Sequence, residues 1–137
     1  MKTLLIMIIS ILTISCATQK QTKKETFDFI EIRFGSGGGF TGQGNQYLIK
    51  NNGKVYKNIN DSLILLNQIN AQYIDSISNQ LADMKFDNIK FLENGNMTYH
   101  IEVLTHKYEN KVTWSDQSQA DNLKQLYKTL VKTLKKQ

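Results

Sequence analysis

Apolar and polar side chains alternate over residues 26–34, which places Ile30 and Ile32 on one side of the chain and Glu31 and Arg33 on the other. A period of two indicates an extended strand with one buried face. The segment therefore predicts a strand at the start of the folded region, with its charged side chains in solvent.

Residues 46–58 hold two further short apolar–polar runs on either side of Asn51-Asn52-Gly53. Asn-Gly tolerates the positive φ angles of a tight turn, so this pattern predicts a hairpin. The apolar run at 62–69 is compatible with a further strand or with the start of a helix, and we favour the strand.

Two segments show the period of a helix. Asn70 is a residue type that caps helices, and it precedes a stripe at spacings of 3, 4 and 3 residues: Ile74, Ile77, Leu81 and Met84. A second helix near the carboxyl end is predicted to be capped by Ser118 or Asp116. Its expected buried face consists of Leu123, Leu126, Tyr127, Leu130, Val131 and Leu134.

The segment between the two helices predicts a hairpin. Asn94-Gly95-Asn96 indicates a turn, and a long strand, a turn near Glu109-Asn110 and a shorter strand ending at Trp114 follow it. The order strands, helix, hairpin, helix is typical of an α+β fold. We expect one domain over residues 26–137, in which an antiparallel sheet of about five to six strands is packed by two helices.

The amino terminus has the pattern of an export signal. Lys2 precedes an apolar run from Leu4 to Leu12 that only Ser10 interrupts. This run is too short to cross about 30 Å of hydrocarbon as a helix, but it matches the apolar core of a secretory signal. Cys16, the only cysteine in the chain, stands where such a signal would be cut.

The segment Leu12-Thr13-Ile14-Ser15-Cys16 resembles the lipobox of bacterial lipoproteins, in which signal peptidase II cuts before a cysteine that becomes lipid-modified. Ser15 and Cys16 match that pattern, whereas Thr13 stands where the family prefers Leu, Val or Ile. The resemblance implies a signal peptide at 1–15, lipidation of Cys16 and a flexible polar tether up to residue 25. The alternatives are a secretory signal with a chance cysteine or an uncleaved anchor.

The chain also looks like the small uncharacterised lipoproteins of Bacteroidetes. Its tether lacks the acidic stretch that resembles a surface-export signal in some of them. We therefore expect a lipid-anchored protein of the bacterial cell envelope, in the outer membrane and facing the periplasm.

The formal net charge of +5 is concentrated at the two ends of the chain. Between Thr26 and Val131 there are 10 basic and 11 acidic residues, a net charge of −1, and Arg33 is the only arginine. The sequence shows no basic face with interleaved aromatic residues, so nucleic-acid binding is not expected.

Residues 35–44, GSGGGFTGQG, contain six glycines between two predicted strands. Gly37, Gly39 and Gly42 satisfy G-x-G-x-x-G, but a dinucleotide site needs a helix directly after the glycines, and a strand follows here. We therefore expect no cofactor. The stretch is either a wide turn that joins adjacent strands or a flexible loop that offers Phe40 to a partner.

Arg33 followed by Gly38-Gly39-Phe40-Thr41-Gly42 resembles the "R…GGF-x-G" opening of emfourin-type inhibitors of thermolysin-like metalloproteases, which are small domains mixing an antiparallel sheet with helices. The lipid anchor and the added Gly35-Ser36-Gly37 depart from that family. The resemblance implies a partner-binding loop formed by Gly38, Gly39, Phe40 and Gly42.

Candidate catalytic groups are sparse. His100 and Glu102 share one side of the predicted long strand, roughly 6.6 Å apart at about 3.3 Å per residue, but no neighbouring residue supplies the further ligands that a metal needs. We interpret both as solvated strand residues and Trp114 as a core residue. Without a nucleophile-elbow serine or paired carboxylates, we expect neither an enzyme nor a metal site.

Two non-catalytic functions remain. One is a binding or scaffolding module that docks on another envelope protein. The other is an inhibitor of an exported protease that uses the glycine-rich loop.

Overall fold

The computed structural model describes residues 27–38 and 44–135. The strands are β1 (Glu31–Gly38), β2 (Asn45–Lys50), β3 (Lys54–Ile59), β4 (Ser62–Gln68), β5 (Met97–Leu104) and β6 (Glu109–Ser115), and the helices are α1 (Ala71–Asp83) and α2 (Asp121–Lys132). The strands form one antiparallel sheet in the order β4-β3-β2-β1-β5-β6. This architecture confirms the predicted α+β class. The signal peptide, the tether and Cys16 lie outside the described residues.

A single core forms between one face of the sheet and the two helices. As the alternation in β1 predicts, Ile32 and Phe34 are buried while Arg33 is exposed. Both helices contribute the apolar stripes that their periodicity predicts, with these residues fully or almost fully buried: Ile77, Leu81, Leu123, Leu126 and Leu130. Among the described residues, no helix is long and apolar enough to cross a bilayer.

Tyr127 of α2 joins that helix to three strands. Its ring stands edge-on to Phe34 of β1, Tyr99 of β5 and Trp114 of β6, with centroid separations of 6.0, 5.3 and 5.6 Å. Trp114 is 1% exposed and stacks on Tyr99, which confirms it as a core residue. Burial raises the pKa of the Tyr127 phenol, and a hydrogen bond with Ser36 opposes that shift. The hydroxyl therefore stays protonated and available to Ser36.

The two hairpins on the β2–β4 side owe their turns to residues that accept positive φ. At the predicted Asn-Gly turn, Gly53 has φ 84° and its N–H donates to the carbonyl of Lys50 at 2.9 Å. The next turn consists of Asn60 and Asp61 with φ of 49° and 61°, a pair that matches the twist of the flanking strands. The predicted strand at 62–69 is confirmed as β4.

The predicted turn at Glu109-Asn110 is wrong, because these two residues begin β6 and the chain reverses over residues 105–108. The Thr105 hydroxyl accepts hydrogen bonds from the N–H groups of Lys107 and Tyr108 at 3.1 and 3.0 Å, which closes the turn early. Asn110 is buried instead, where its amide donates to two backbone carbonyls of the segment after α1.

The predicted N-cap is confirmed for α1 and wrong for α2. Asn70 caps α1, since its side chain accepts a hydrogen bond from the Tyr73 N–H at 2.9 Å. The predicted cap of α2 is wrong, because Ala120 occupies the N-cap position without a side-chain bond. The Ser118 hydroxyl is used elsewhere: it accepts from the Ser115 N–H at 2.9 Å and donates to Glu93 at 2.5 Å.

We predict that Leu126→Ala and Leu130→Ala each lower the free energy of unfolding by about 2–5 kcal/mol, because each removes a fully buried side chain and leaves a cavity. Lys128, on the exposed side of the same helix, is the matched control, and its change to Ala should cost less than about 0.5 kcal/mol. Urea unfolding curves measure all three. Comparable losses at the three positions would contradict the orientation of α2.

Candidate functional site

The glycine-rich stretch is partly strand. β1 continues through Gly38 and pairs with β2 in a register that sets Ser36 opposite Asn45. The expectation that the stretch joins adjacent strands is confirmed, but its first four residues belong to β1. Of the predicted partner-binding residues only Gly38 is described, and Gly39, Phe40, Gly42 and the lipidation site Cys16 lie outside the described residues.

Gly38 has structural reasons to be glycine. Its φ is 115°, a conformation that side chains rarely adopt, and an added Cβ would lie 2.3 Å from the carbonyl oxygen of Asn96. Gly38 pairs with Met97 at the start of β5, so the strand can approach this closely only without a side chain. The conformation of Gly38 is therefore explained by contacts within the chain.

Gly35 makes room for its neighbours in the same way. A Cβ there would lie 2.0 Å from the carbonyl oxygen of Asn45 and 3.0 Å from Cε1 of His100. Gly35 and His100 are register partners on the face of the sheet that the helices leave uncovered, here called the open face. The imidazole thus lies against the backbone of β1.

A groove of about 420 Å³ lies on the open face beside the glycine-rich stretch, here called the glycine groove. Side chains of β2, β5 and β6 line it together with glycine backbone; the principal ones are Gln46, Thr98, His100, Lys111 and Thr113. Such a surface offers backbone amides, hydroxyls, the two amide side chains of Gln46 and Asn94, one imidazole and one ammonium group. It is suited to hydrogen bonding with a polar or extended partner.

The sequence pattern missed most of this groove. The residues of β6 enter it only because β5 and β6 pair with His100 opposite Thr113 and Glu102 opposite Lys111. That register follows from the turn at 105–108, whereas the sequence pattern predicts a turn near Glu109-Asn110. A correctly placed turn together with the period of two would have brought Lys111 and Thr113 to the side of His100.

The surroundings of His100 lower its pKa and so favour the neutral imidazole. Burial lowers the pKa of its imidazole, the charge of Lys111 lowers it further, and Glu102 opposes both. The unfolded chain therefore binds more protons than the folded one as the pH falls below the ordinary histidine range, so this group subtracts stability on acidification. Near neutral pH the ring can both donate and accept one hydrogen bond in the glycine groove.

An ion-pair cluster lies next to His100 on the open face. Arg33 binds Glu102 at 2.6 Å and also contacts Glu31, and Lys111 approaches Glu102 at 3.8 Å. His100 and Glu102 share one side of β5 as predicted, but the carboxylate of Glu102 is engaged by the two cations. Among residues 27–38 and 44–135, no group of three potential ligand side chains is arranged to hold a metal ion.

No protein-family model matches this sequence, and no curated protein matches it. The assignment of a function therefore depends on the residues and contacts described above.

We predict that Gly38→Ala lowers the free energy of unfolding by about 1–3 kcal/mol, because it forces an alanine into a disfavoured conformation and against the Asn96 carbonyl. Gly37 is the matched control: among the described residues, an added Cβ there would approach only the Gly44 Cα, at 3.8 Å. Gly37→Ala should leave the stability unchanged or raise it by up to about 1 kcal/mol. Thermal or urea unfolding distinguishes the two, and equal effects would contradict the packing of the hairpin.

Proposed function

We propose that this protein is a lipoprotein of the bacterial cell envelope that acts as a non-catalytic binding or scaffolding module. Cys16, at the end of a lipobox-like segment, supplies the anchor, and the polar residues after it link the anchor to the folded domain. Acyl chains contribute roughly 0.8 kcal/mol per buried methylene, so a dually or triply acylated cysteine holds a chain on a membrane. The outer membrane, facing the periplasm, is the proposed location.

The observation that favours scaffolding is the internal use of the glycine-rich stretch. Gly35 and Gly38 are needed by their own neighbours in the sheet, so their presence requires no partner. Arg33, the other member of the emfourin-like pattern, is occupied by Glu31 and Glu102. The two described members of the pattern, Arg33 and Gly38, are thus accounted for by contacts within this chain.

Inhibition of an exported protease is the second candidate. The connection between β1 and β2 starts from two central strands of the sheet, and its sequence contains Phe40. A rigid framework lowers the entropic cost of presenting a loop to a partner. This function would require Phe40 to be an apolar anchor.

For the anchor, we predict that labelled palmitate enters the parent protein and does not enter Cys16→Ser, because the thioether that holds the diacylglyceryl group needs the thiol. The variant should also leave the membrane fraction. Both proteins are expressed at equal levels and compared by labelling and fractionation. Equal labelling of the two would refute lipidation at Cys16.

For the loop, we predict that Phe40→Ala captures the same envelope protein as the parent chain in a pull-down from envelope extract. Leu92→Ala, a change at a residue that is 75% exposed and distant from the hairpin in sequence, is the matched control for loss of an apolar side chain. A protease captured by the parent and by Leu92→Ala, but lost in Phe40→Ala, would favour inhibition, since buried aromatic anchors contribute about 2 kcal/mol or more.

A further inference from the structure

The two edge strands of the sheet, β6 and β4, differ in whether another segment of the chain hydrogen-bonds their outer side. At the β6 edge, the N–H of Thr113 donates to the carbonyl of Phe91 at 2.9 Å, and the N–H of Glu93 donates to the carbonyl of Thr113 at 3.0 Å. The segment after α1 therefore covers that edge at Thr113. At the other edge, β4 pairs with β3 on one side only, and no strand of the described residues lies on its other side.

The uncovered edge is also apolar. Four consecutive aliphatic residues, Leu63 to Leu66, occupy β4, and the strand carries no charge and no proline. Leu63, Ile64 and Leu65 are 49%, 49% and 56% exposed. Natural edge strands are usually protected by charges, prolines or bulges, and here a single bulge at Leu66, beside the shift between Val55 and Tyr56, interrupts the far end. The regular part, Ser62 to Leu65, is open.

The exposed apolar side chains lie on both faces of this edge. Leu63 and Leu65 share the open face with Tyr56, while Ile64 shares the helix face with Lys57. Ile59, at the end of β3 beside Ser62, adds a further side chain that is 41% exposed. A groove-binding ligand would cover one face, whereas an added β-strand covers both and also satisfies the unpaired backbone groups.

The charges at the ends of β4 select the direction of the added strand. Asp61 precedes β4, and near its other end Lys54 of the neighbouring strand β3 lies opposite Gln68. An antiparallel copy of the same strand sets the acidic end of each beside the basic end of the other. A parallel copy would align like charges. The tether at residues 16–25 is a poor substitute, because it is polar and contains three lysines.

We infer that β4 is a dimerisation edge, which pairs in antiparallel orientation with β4 of a second copy of this chain across a two-fold axis perpendicular to the sheet. Centred on Ile64, this pairing sets Ile64 opposite itself and Leu63 opposite Leu65 of the second copy. All these contacts are apolar, and both helical layers stay on the same side of a continuous sheet. One strand pair is smaller than the roughly 1,200–2,000 Å² of a standard stable interface, so the dimer is reversible.

The test traps the dimer in the full chain with a short bis-maleimide cross-linker. In Ile64→Cys the two thiols would face each other with Cβ atoms about 5 Å apart, and a product of twice the chain mass is expected. Leu92→Cys is the control for random collision, since it is more exposed and lies on the covered edge. The parent chain, with Cys16 alone, gives the background.

A second change tests the interface itself. Adding Leu63→Lys to Ile64→Cys should lower the cross-linked fraction by at least about tenfold, because symmetry brings two charges into an apolar contact. Leu92→Lys in the same background should have no effect, and unchanged thermal unfolding of both shows that the fold is intact. If Leu63→Lys impairs folding, Leu65→Lys replaces it.

Each outcome of the cross-linking test either supports or overturns the inferred dimer. Twofold-mass product at Ile64 that Leu63→Lys removes supports the inference. Equal cross-linking at Ile64 and Leu92, no product above background, or a product that contains a different protein would each overturn it. The result does not depend on lipidation of Cys16, so it is separable from the test of the anchor.

Discussion

The contact of Tyr127 with the sheet is the interaction on which the arrangement of the fold depends. Its ring meets aromatic side chains of β1, β5 and β6 at once, and such edge-on pairs add about 0.5–1.5 kcal/mol each beyond burial. β1 is the first strand of the sequence, and β5 and β6 are the last two. Through Tyr127, α2 therefore packs against the first strand and the β5–β6 hairpin at the same time. The hydrogen bond between the side chains of Ser36 and Tyr127 extends this contact to the glycine-rich hairpin.

Local periodicity predicted the parts of the fold that depend on neighbours in sequence. The buried stripes of α1 and α2, the Asn70 cap and the Asn-Gly hairpin all follow from side chains within a few residues. The predictions of turns and caps were wrong where a polar side chain hydrogen-bonds a group other than the one that the local pattern indicates. Thr105 closed a turn that the pattern placed at Glu109-Asn110, and Ser118 bound Glu93 instead of capping α2.

In the candidate site, too, local periodicity predicts some features, while others depend on the pairing of strands. The side shared by His100 and Glu102 follows from the period of two in β5, but the engagement of Glu102 by Arg33 depends on a strand pairing across 69 residues. The pattern also treated Gly35 and Gly38 as loop residues, although both lie within β1. Their need for glycine comes from the carbonyls of Asn45 and Asn96, which only the assembled sheet brings close.

The two edges of the sheet connect the fold to its proposed role. The segment between α1 and β5 contacts the β6 edge, and the Ser118 hydroxyl binds Glu93 of that segment. Within residues 27–38 and 44–135, no strand pairs with the outer side of β4. Exposed aliphatic side chains on an unpaired strand cost solubility unless a strand covers them. β4 is uncharged, with Asp61 before it and Lys54 of β3 beside its other end. It is therefore complementary to its own antiparallel copy, and the proposed dimer turns an exposed apolar edge into a specific contact between two chains.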